Sequence, residues 1–300
     1  MRALVTGGAG FIGSNLVDAL IERGDSVDVV DNLSSGKREN VSERARLHEL
    51  DIRESLNDLF AELKPNVCFH LAAQADVRVS VERPDFDAEV NVIGTLHVLE
   101  AARATGSRVV FSSTGGAIYG ECDVPADESS ERRPLAPYGT AKLAAEEYLL
   151  TYTRLYGMSN VVLRFGNVFG PRQDPHGEAG VVAIFLGRLR DGGICKIFGD
   201  GEQERDYVYV GDVVQALLAA AAVEGGIFNV GMGRAVSVLE LYELCRKVAG
   251  SDLAPEHAPA RSGELQRSVL DVGKAADELG WRPETSLEDG LRRTWDWIRA

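Results

Sequence analysis

Hydrophobic and polar positions in the first half of the chain follow two patterns in turn. Short apolar runs predict buried strands, and longer stretches with apolar residues three or four apart predict amphipathic helices. We predict strands at 3–5, 26–30, 47–50, 67–71, 108–112 and 161–164, and helices at 11–23, 54–63, 85–105 and 138–156. Strands that alternate with helices are typical of a parallel sheet covered on both faces. The pattern therefore predicts an α/β fold with a doubly wound parallel sheet.

The second half of the chain has a different pattern. It is loop-rich from residue 166 to 180, and the pattern then predicts helices at 211–223 and 237–249, a strand at 227–230, and amphipathic segments at 273–279 and 287–298. No flexible or low-complexity linker separates the halves. We predict one domain at 1–166, with the 211–231 helix and strand packing back on it, and a smaller C-terminal α/β lobe at 167–300.

A glycine-rich loop follows the first predicted strand. The spacing Gly8-x-Gly10-x-x-Gly13 between a strand and a helix fits the fingerprint that binds the pyrophosphate of a dinucleotide. The free N–H groups at the start of the helix favour phosphate. The second strand ends at Asp31, 18 residues after Gly13, where a carboxylate binds the ribose hydroxyls and repels a 2′-phosphate. The sequence thus predicts a Rossmann domain that binds NAD rather than NADP.

Tyr138 and Lys142 form a second candidate site. They are four residues apart in a predicted helix, so they lie on one face. A phenol is a poor base at neutral pH because its ordinary pKa is about 10. A nearby ammonium favours the phenolate and makes the tyrosine a usable proton acceptor. Together with the glycine loop, this pair indicates proton transfer beside a nicotinamide.

Composition and charge argue against several kinds of partner. The net charge of −14 disfavours nucleic acid and anionic membrane as main partners, and no apolar stretch approaches the roughly 20 residues that cross a bilayer. The four cysteines and five histidines have no metal-ligand spacing. We therefore expect no metal, no nucleic acid and no membrane partner, and free thiols in a cytoplasmic protein.

A series of motifs along the whole chain carries a family resemblance. They are Thr6–Gly13, Asp31–Gly36, His70–Ala73, Asn91–Thr95, Ser112–Thr114, Tyr138-x3-Lys142, Asn167–Arg172 and Arg205–Tyr207. With them the chain resembles the extended short-chain dehydrogenase/reductase superfamily and, within it, the UDP-glucose 4-epimerase family. The resemblance implies inversion of C4 in a UDP-hexose, either UDP-glucose/UDP-galactose or the N-acetyl forms, by transient oxidation to a 4-keto sugar with tightly bound NAD.

The resemblance also implies roles for individual residues. Implied for the cofactor are Gly7, Gly10, Phe11, Ile12, Gly13, Asp31, Asn32, Ser35, Gly36, Asp51, Ile52, Leu71, Ala72, Ala73, Asn91, Ser112, Tyr138, Lys142 and Phe165. Implied for the UDP-sugar are Thr114, Tyr138, Asn167, Phe198, Arg205, Arg261 and Glu264. Thr114, Tyr138 and Lys142 are the expected catalytic groups. Ser113 is the alternative to Thr114, because the segment before Tyr119 is one residue longer than the commonest family form.

Other activities and the oligomeric state follow from the same resemblance. A 4,6-dehydratase needs an acid and a base after the catalytic threonine, where this chain has Gly115 and Gly116 or, aligned from Tyr119, Gly116 and Ala117. Neither alignment gives an acid, which disfavours this activity. A UDP-glucuronate 4-epimerase or decarboxylase stays open, because Arg172 or another cation could hold a 6-carboxylate. A non-catalytic dinucleotide-binding regulatory protein is the alternative from a different class. In similar enzymes helices matching 85–105 and 141–156 pair across a two-fold axis, so a homodimer is expected.

Overall fold

The structure is a computed structural model that describes residues 1–175, 180–261 and 263–300. Residues 176–179, which belong to the stretch predicted as loop-rich, lie outside the described residues. In the described parts the strands are β1 (Arg2–Thr6), β2 (Ser26–Asp31), β3 (Arg46–Glu49), β4 (Val67–His70), β5 (Arg108–Thr114), β6 (Val161–Phe165), β7 (Asn167–Phe169), β8 (Lys196–Phe198), β9 (Glu204–Arg205), β10 (Tyr207–Tyr209), β11 (Gly226–Val230), β12 (Val236–Ser237), β13 (Glu256–Ala258) and β14 (Arg267–Ser268).

The helices cover the sheet and build most of the second half. They are α1 (Phe11–Glu22), α2 (Asn57–Leu63), α3 (Val77–Glu82), α4 (Pro84–Ala88), α5 (Gly94–Thr105), α6 (Gly115–Ile118), α7 (Pro137–Tyr156), α8 (Val181–Arg190), α9 (Val210–Ala220), α10 (Val238–Ala249), α11 (Gly273–Glu278) and α12 (Leu287–Arg299). A π-helical turn, Glu89–Ile93, joins α4 to α5, and a 3₁₀ turn spans Arg38–Asn40.

The central sheet has seven parallel strands in the order β11-β6-β5-β4-β1-β2-β3. This confirms the predicted doubly wound α/β fold. The edge strand β11 comes from the second half of the chain and pairs with β6 from Gly226–Val161 to Val230–Phe165. The chain therefore returns to the first sheet after it has entered the second half.

The strands form where the sequence predicts them because both faces of the sheet are covered. One layer packs α1, α9 and α11 on the sheet through residues such as Leu16 and Leu217. The other packs α2, α5 and α7 through residues such as Phe60 and Leu149. Each of these four side chains is fully buried, and burying one stabilises the fold by about 1.5–3 kcal/mol.

The second half has a core of its own among α8, α10 and α12. Phe185 and Tyr242 meet edge to face there, with their ring centroids 5.4 Å apart. Three small sheets lie beside this core, in the orders β12-β9-β14, β13-β8 and β10-β7. Their strands are only two or three residues long, so no alternation pattern predicts them, and helix α8 was missed as well.

Three predicted helices differ in detail from the structure, and the one expected at 211–223 ends at Ala220. The helix expected at 54–63 begins at Asn57. The helix expected at 85–105 is divided into α4, the π turn and α5. The π turn contains Asn91, which is buried. A single π turn inside a helix is frequently found at a functional site.

Candidate active site

The glycine loop between β1 and α1 is tightly packed. Gly7 has φ +72°, a left-handed conformation that glycine adopts without strain. A Cβ at Gly13 would lie 2.1 Å from the Gly7 carbonyl oxygen, and a Cβ at Gly8 would lie 2.7 Å from the Val29 side chain. Side chains at these positions would push the helix away from the strand. The loop is thus shaped by the glycines that the fingerprint requires.

A cavity of about 460 Å³ opens at the carboxyl ends of β1, β2 and β4, beside this loop. The predicted cofactor residues that line it are Gly7, Gly10, Phe11, Ile12, Gly13, Asp31, Asn32, Ser35, Gly36, Asp51, Ile52, Leu71, Ala72, Ala73 and Ser112. Asn91, Tyr138, Lys142 and Phe165 are not among the lining residues. The structure thus brings most of the predicted set together around one cavity.

Asp31 is held by the backbone around it. One carboxylate oxygen accepts a hydrogen bond from the Ala9 N–H (2.9 Å), and the other accepts from the Leu33 N–H (2.8 Å). A Cβ at Gly36 would lie 2.9 Å from the second oxygen. A carboxylate oxygen has two lone pairs, so each oxygen keeps acceptor capacity for a ribose hydroxyl. The carboxylate thus ties the glycine loop to the end of β2 and still faces the cavity.

Asn32 and Asp51 meet at the rim of the same cavity. The Asn32 amide donates to the Asp51 carboxylate over 2.9 Å, and the Arg53 guanidinium donates to both of its oxygens. These hydrogen bonds, those from Arg53 above all, hold the pKa of Asp51 well below its usual range. Asp51 is therefore an anion at neutral pH. Arg53 also lines the cavity, although no sequence motif pointed to it.

Asn91 acts on the cavity through Gln74, a lining residue that the sequence motifs did not include. The Asn91 side chain accepts from the Gln74 N–H (3.0 Å) and donates to the Gln74 carbonyl (2.8 Å). The buried Asp87 carboxylate accepts from both side-chain amides. This network fixes the segment after β4. Its one signal in the sequence is that Gln74 directly follows the motif ending at Ala73.

Tyr138 and Lys142 lie in the first two turns of α7. Pro137 begins that helix, a position where a missing N–H costs nothing. Lys142 is buried, its ammonium donates to the Ser112 carbonyl over 3.0 Å, and it lies 4.7 Å from the centre of the Phe111 ring. Because Ser112 lines the cavity, the Lys142 ammonium lies next to the cavity wall.

Ser113 and Thr114 point to different environments. Ser113 is buried, and its hydroxyl donates to the Glu146 carboxylate on α7. Thr114 ends β5 and is only half-buried. A Cβ at Gly116 would lie 4.0 Å from the Thr114 hydroxyl oxygen and 3.6 Å from the Asn167 amide oxygen. Thr114 and Asn167 therefore face a common space beside Gly116, which Ser113 does not reach.

The remaining predicted substrate residues meet in two pairs. The Arg205 guanidinium lies 3.7 Å from the Glu264 carboxylate. The Arg261 guanidinium lies over the Phe198 ring, 3.9 Å from its centre. Phe165, which belongs to the predicted cofactor set, is buried at the end of β6, where it pairs with Thr114 across the sheet. Two guanidinium groups and an aromatic ring suit a nucleoside diphosphate, because arginine binds phosphate through paired, charge-assisted hydrogen bonds.

Asp206, next to Arg205, is a buried residue for which the sequence indicated no role. Its carboxylate accepts from the backbone N–H groups of Met232 (2.6 Å), Gly233 (3.0 Å) and Leu270 (3.3 Å). Burial raises the pKa of Asp206 to about 6, although the three hydrogen bonds oppose this rise. Its motif, Arg205-Asp206-Tyr207, was visible in the sequence, but its partners are distant along the chain.

The described residues contain no candidate metal centre. Within residues 1–175, 180–261 and 263–300, no group of three or more histidine, cysteine, aspartate or glutamate side chains has the arrangement of a metal site. Among the helices described, none combines the length and the apolar character that crossing a membrane requires.

The cavity residues fit NAD on structural grounds. The glycines leave room for close approach of a pyrophosphate to the backbone, and the start of α1 faces the same cavity. Asp31 supplies the acceptor that a ribose diol requires. The cavity walls also include apolar residues, such as Ile52, that suit an adenine ring. NAD is therefore the cofactor of this protein.

Comparisons with known proteins agree with this site. Residues 3–231 match the family model "NAD dependent epimerase/dehydratase family". The UDP-glucose 4-epimerase of Mycolicibacterium smegmatis is 47% identical, over 100% of this chain and 99% of that protein. A crystal structure of the Thermotoga maritima UDP-glucose 4-epimerase with UDP-glucose is similar, with a TM-score of 0.97 and 49% identity over 100% and 99% of the two chains.

A second solved structure carries the cofactor. It is the Thermus thermophilus UDP-glucose 4-epimerase in complex with NAD, with a TM-score of 0.94 and 48% identity over 100% of this chain and 99% of that one. The glycine loop, the acid that ends β2, and the tyrosine and lysine of α7 lie within the matched length. The chain belongs to the NAD-dependent epimerase/dehydratase family and, within it, to the UDP-glucose 4-epimerase family of extended short-chain dehydrogenases/reductases.

Proposed function

We propose that this protein inverts C4 of a UDP-hexose, with UDP-glucose and UDP-galactose as its substrate pair. The observation that carries the proposal is the position of Lys142. Its ammonium donates a hydrogen bond to the Ser112 carbonyl at the cavity wall. Lys142 lies one helical turn from Tyr138 in α7, and Ser112 lies two residues before Thr114 in β5. The contact between Lys142 and Ser112 supports the proposal that Tyr138 as base, Lys142 as its activating cation and Thr114 as a second hydroxyl act beside the NAD cavity.

In this proposal Tyr138 accepts the proton of the sugar 4-hydroxyl and later returns it. The Lys142 ammonium favours the phenolate form, as an opposite charge nearby does. Thr114 binds the same sugar hydroxyl and orients it for proton transfer. NAD, when bound, supplies a reversible hydride acceptor, so the sugar is oxidised and reduced at C4 within one cycle. No net oxidation results, which fits an isomerase.

We propose that Asn167, Phe198, Arg205, Arg261 and Glu264 bind the UDP. Binding held in the nucleotide leaves the 4-keto sugar free to turn over and present its other face. This is a use of remote binding energy that the reaction requires. Residues 1–166, with the returning 211–231 segment, then form the NAD domain. Residues 167–300 form the lobe that holds the UDP-sugar.

The structure offers little support for a dehydratase. A Cβ at Gly115 would lie 2.6 Å from the Leu270 side chain, so a larger residue would not fit there without a shift. Gly116 faces Thr114 and Asn167, but a glycine has no side chain that could act as an acid. Neither position thus supplies the group that would eliminate water.

The first candidate cation of the uronate alternative already has a carboxylate partner. The Arg172 guanidinium donates to the Asp18 carboxylate on α1 over 2.6 Å. An arginine already paired with a carboxylate is a poorer partner for a 6-carboxylate on the sugar. UDP-glucuronate remains the second substrate to test, as does the N-acetylhexosamine pair. A purely regulatory protein would have no use for the catalytic side chains Thr114, Tyr138 and Lys142.

We also propose a homodimer that acts in the cytoplasm. Large apolar side chains on α3, the π turn and α7 are exposed, among them Val81 at 62% and Leu155 at 67%. A groove of about 470 Å³ separates Pro84–Val92 from Pro134–Ala144 on the same side. A second copy of the chain that packs against α3, the π turn and α7 would cover both the exposed apolar side chains and the groove. The four cysteines are free thiols, as expected in a reducing compartment.

The proposal is tested by incubating the purified protein with UDP-glucose, UDP-N-acetylglucosamine and UDP-glucuronate in separate reactions without added NAD. We expect UDP-galactose from the first, formed by cofactor that stays bound through purification. Product from UDP-glucuronate alone would replace the hexose assignment. Bound nucleotide with no product in any reaction would favour the regulatory alternative.

A further inference from the structure

We infer that Asp206 is a positioning residue that sets the geometry of the UDP-binding residues without touching the reacting sugar. This inference rests on the proposed function, since it assigns Arg205 and its neighbours to the UDP. It concerns a carboxylate that is 1% exposed and makes all its side-chain hydrogen bonds to the backbone. Those bonds join parts of the chain that are far apart in sequence.

Asp206 directly follows β9, the central strand of the β12-β9-β14 sheet. Arg205 of this strand pairs with Val236 of β12 on one side and with Ser268 of β14 on the other. The Asp206 carboxylate binds Met232 and Gly233, which lead to β12, and Leu270, which follows β14. One side chain thus fixes both neighbours of the strand that carries Arg205.

The same residue also holds Asn167, a second predicted UDP residue. The Asn167 N–H donates to the Asp206 carbonyl over 2.7 Å. The Leu270 side chain packs against the Gly115 position, next to Thr114. Strand β14 continues the segment that carries Glu264 and Arg261. The positions of Asn167, Arg205 and Glu264 relative to Thr114 therefore depend on the bonds that Asp206 makes.

Two glycines pack directly against Asp206. A Cβ at Gly231 would lie 2.5 Å from the Asp206 carboxylate oxygen, and a Cβ at Gly166 would lie 2.8 Å from its carbonyl oxygen. Neither glycine has a positive φ, so an alanine there would be excluded by Asp206 and not by backbone strain. Two glycines on two different segments thus make room for the same residue.

Asparagine cannot replace this group. Both carboxylate oxygens accept, one from Met232 and the other from Gly233 and Leu270. An amide offers one acceptor, and its NH₂ would face an N–H donor on the other side. Asp206→Asn should therefore release either the β12 side or the β14 side of Arg205. Gly231→Ala should displace the intact carboxylate and have the same effect more weakly.

Asp212 provides a matched control. It is buried, and its carboxylate accepts from the Thr285 N–H and the Thr285 hydroxyl. None of these partners is a predicted UDP residue. Asp212→Asn thus removes a buried, hydrogen-bonded carboxylate from the same half of the chain without acting on Arg205.

The experiment measures Kd for UDP by calorimetry, NAD bound per chain, and kcat and KM for UDP-glucose in the wild type and the three variants. We expect Asp206→Asn to raise Kd and KM at least about tenfold, since a buried donor loses its acceptor. Gly231→Ala should move both constants in the same direction. NAD content should stay at the wild-type level, and Asp212→Asn should leave both constants within about twofold of it.

Two results would overturn the inference. One is a wild-type Kd for UDP in Asp206→Asn or, if that variant does not fold, in Gly231→Ala. The other is an equal loss of UDP affinity in Asp212→Asn, which would mark a general effect of a buried charge. Failure of the wild type itself to bind UDP or to turn over UDP-glucose would instead count against the proposed function.

Discussion

Ser113 donates its hydroxyl hydrogen bond to the Glu146 carboxylate, which also binds the Arg164 guanidinium in a fully buried ion pair. Arg164 in turn donates to the Tyr119 hydroxyl over 2.7 Å. These contacts join β5, β6 and α7 below the strand end that carries Thr114. Ser113 is thus tied into the interior below that strand end, and the neighbouring Thr114 faces the space that it shares with Asn167.

This arrangement predicts opposite effects for the two hydroxyls. Thr114→Val keeps the shape of the side chain but removes its hydroxyl, and we expect kcat to fall about 10²-fold, as when one oriented donor is lost. Ser113→Ala should change kcat less than about threefold but lower the free energy of unfolding by about 1–3 kcal/mol, because Glu146 loses a donor. Steady-state kinetics and urea denaturation measure both. A larger loss of kcat in Ser113→Ala than in Thr114→Val would make Ser113 the catalytic hydroxyl.

Tyr138→Phe should abolish proton transfer while NAD and UDP still bind. We expect kcat to fall about 10²–10⁴-fold, while bound NAD and Kd for UDP stay near the wild-type values. Tyr152→Phe is the control, since Tyr152 lies on the same helix and its hydroxyl donates to Glu100. If Tyr138→Phe retained full turnover, Tyr138 would not be the base.

Asp31→Asn should weaken NAD binding. The amide would place an NH₂ against either Ala9 or Leu33, and the ribose diol would lose a charged acceptor. We expect Kd for NAD to rise about tenfold or more and the preference for NAD over NADP to shrink. Asp28→Asn on the same strand is the control, because Asp28 pairs with His48 outside the cavity lining. Titration of cofactor-free protein with each dinucleotide gives the constants, and equal values for Asp31→Asn and wild type would remove Asp31 from the site.

His70 should make the protein less stable in mild acid. It lies between the Thr6 and Thr95 hydroxyls, and burial, with the nearby Lys142 charge, lowers its pKa from 6.5 to about 3. Between these values the unfolded chain binds a proton that the folded one does not, so stability falls as the pH falls from 6.5 towards 3.

Replacing His70 removes this contribution. In His70→Gln, the slope of the free energy of unfolding against pH in this window should be smaller than in the wild type, by up to about 1.4 kcal/mol per pH unit. Urea denaturation at a series of pH values measures the slope. Identical slopes in the two proteins would show that His70 does not contribute.

Much of the NAD half was predictable because its signals are local. Inner strands of the central sheet, such as β1 and β4, are buried along most of their length and contain short apolar runs. The glycine spacing before α1 follows from close packing against Gly7 and Val29. Asp31 was found because it stands at the end of a strand. Each of these signals lies within about 20 residues of sequence.

The rest depends on contacts between distant segments. Asp206 binds residues 26 to 64 positions away, and Gln74 is fixed by Asn91 across a turn and two helices. Ser113 and Thr114 of β5 differ in their surroundings because Glu146, on helix α7, accepts the hydrogen bond of Ser113. The strands around Arg205 are only two residues long and have no periodic pattern. Sequence spacing carries no information on such contacts.

The central claim is that the hydrogen removed from C4 returns to the same carbon on the other face. UDP-glucose that carries deuterium at C4 tests it, in protein purified and assayed without added NAD, with the product examined by mass spectrometry and NMR. We predict UDP-galactose that retains the deuterium at C4. UDP-galactose without deuterium, or no UDP-galactose at all, would contradict the account.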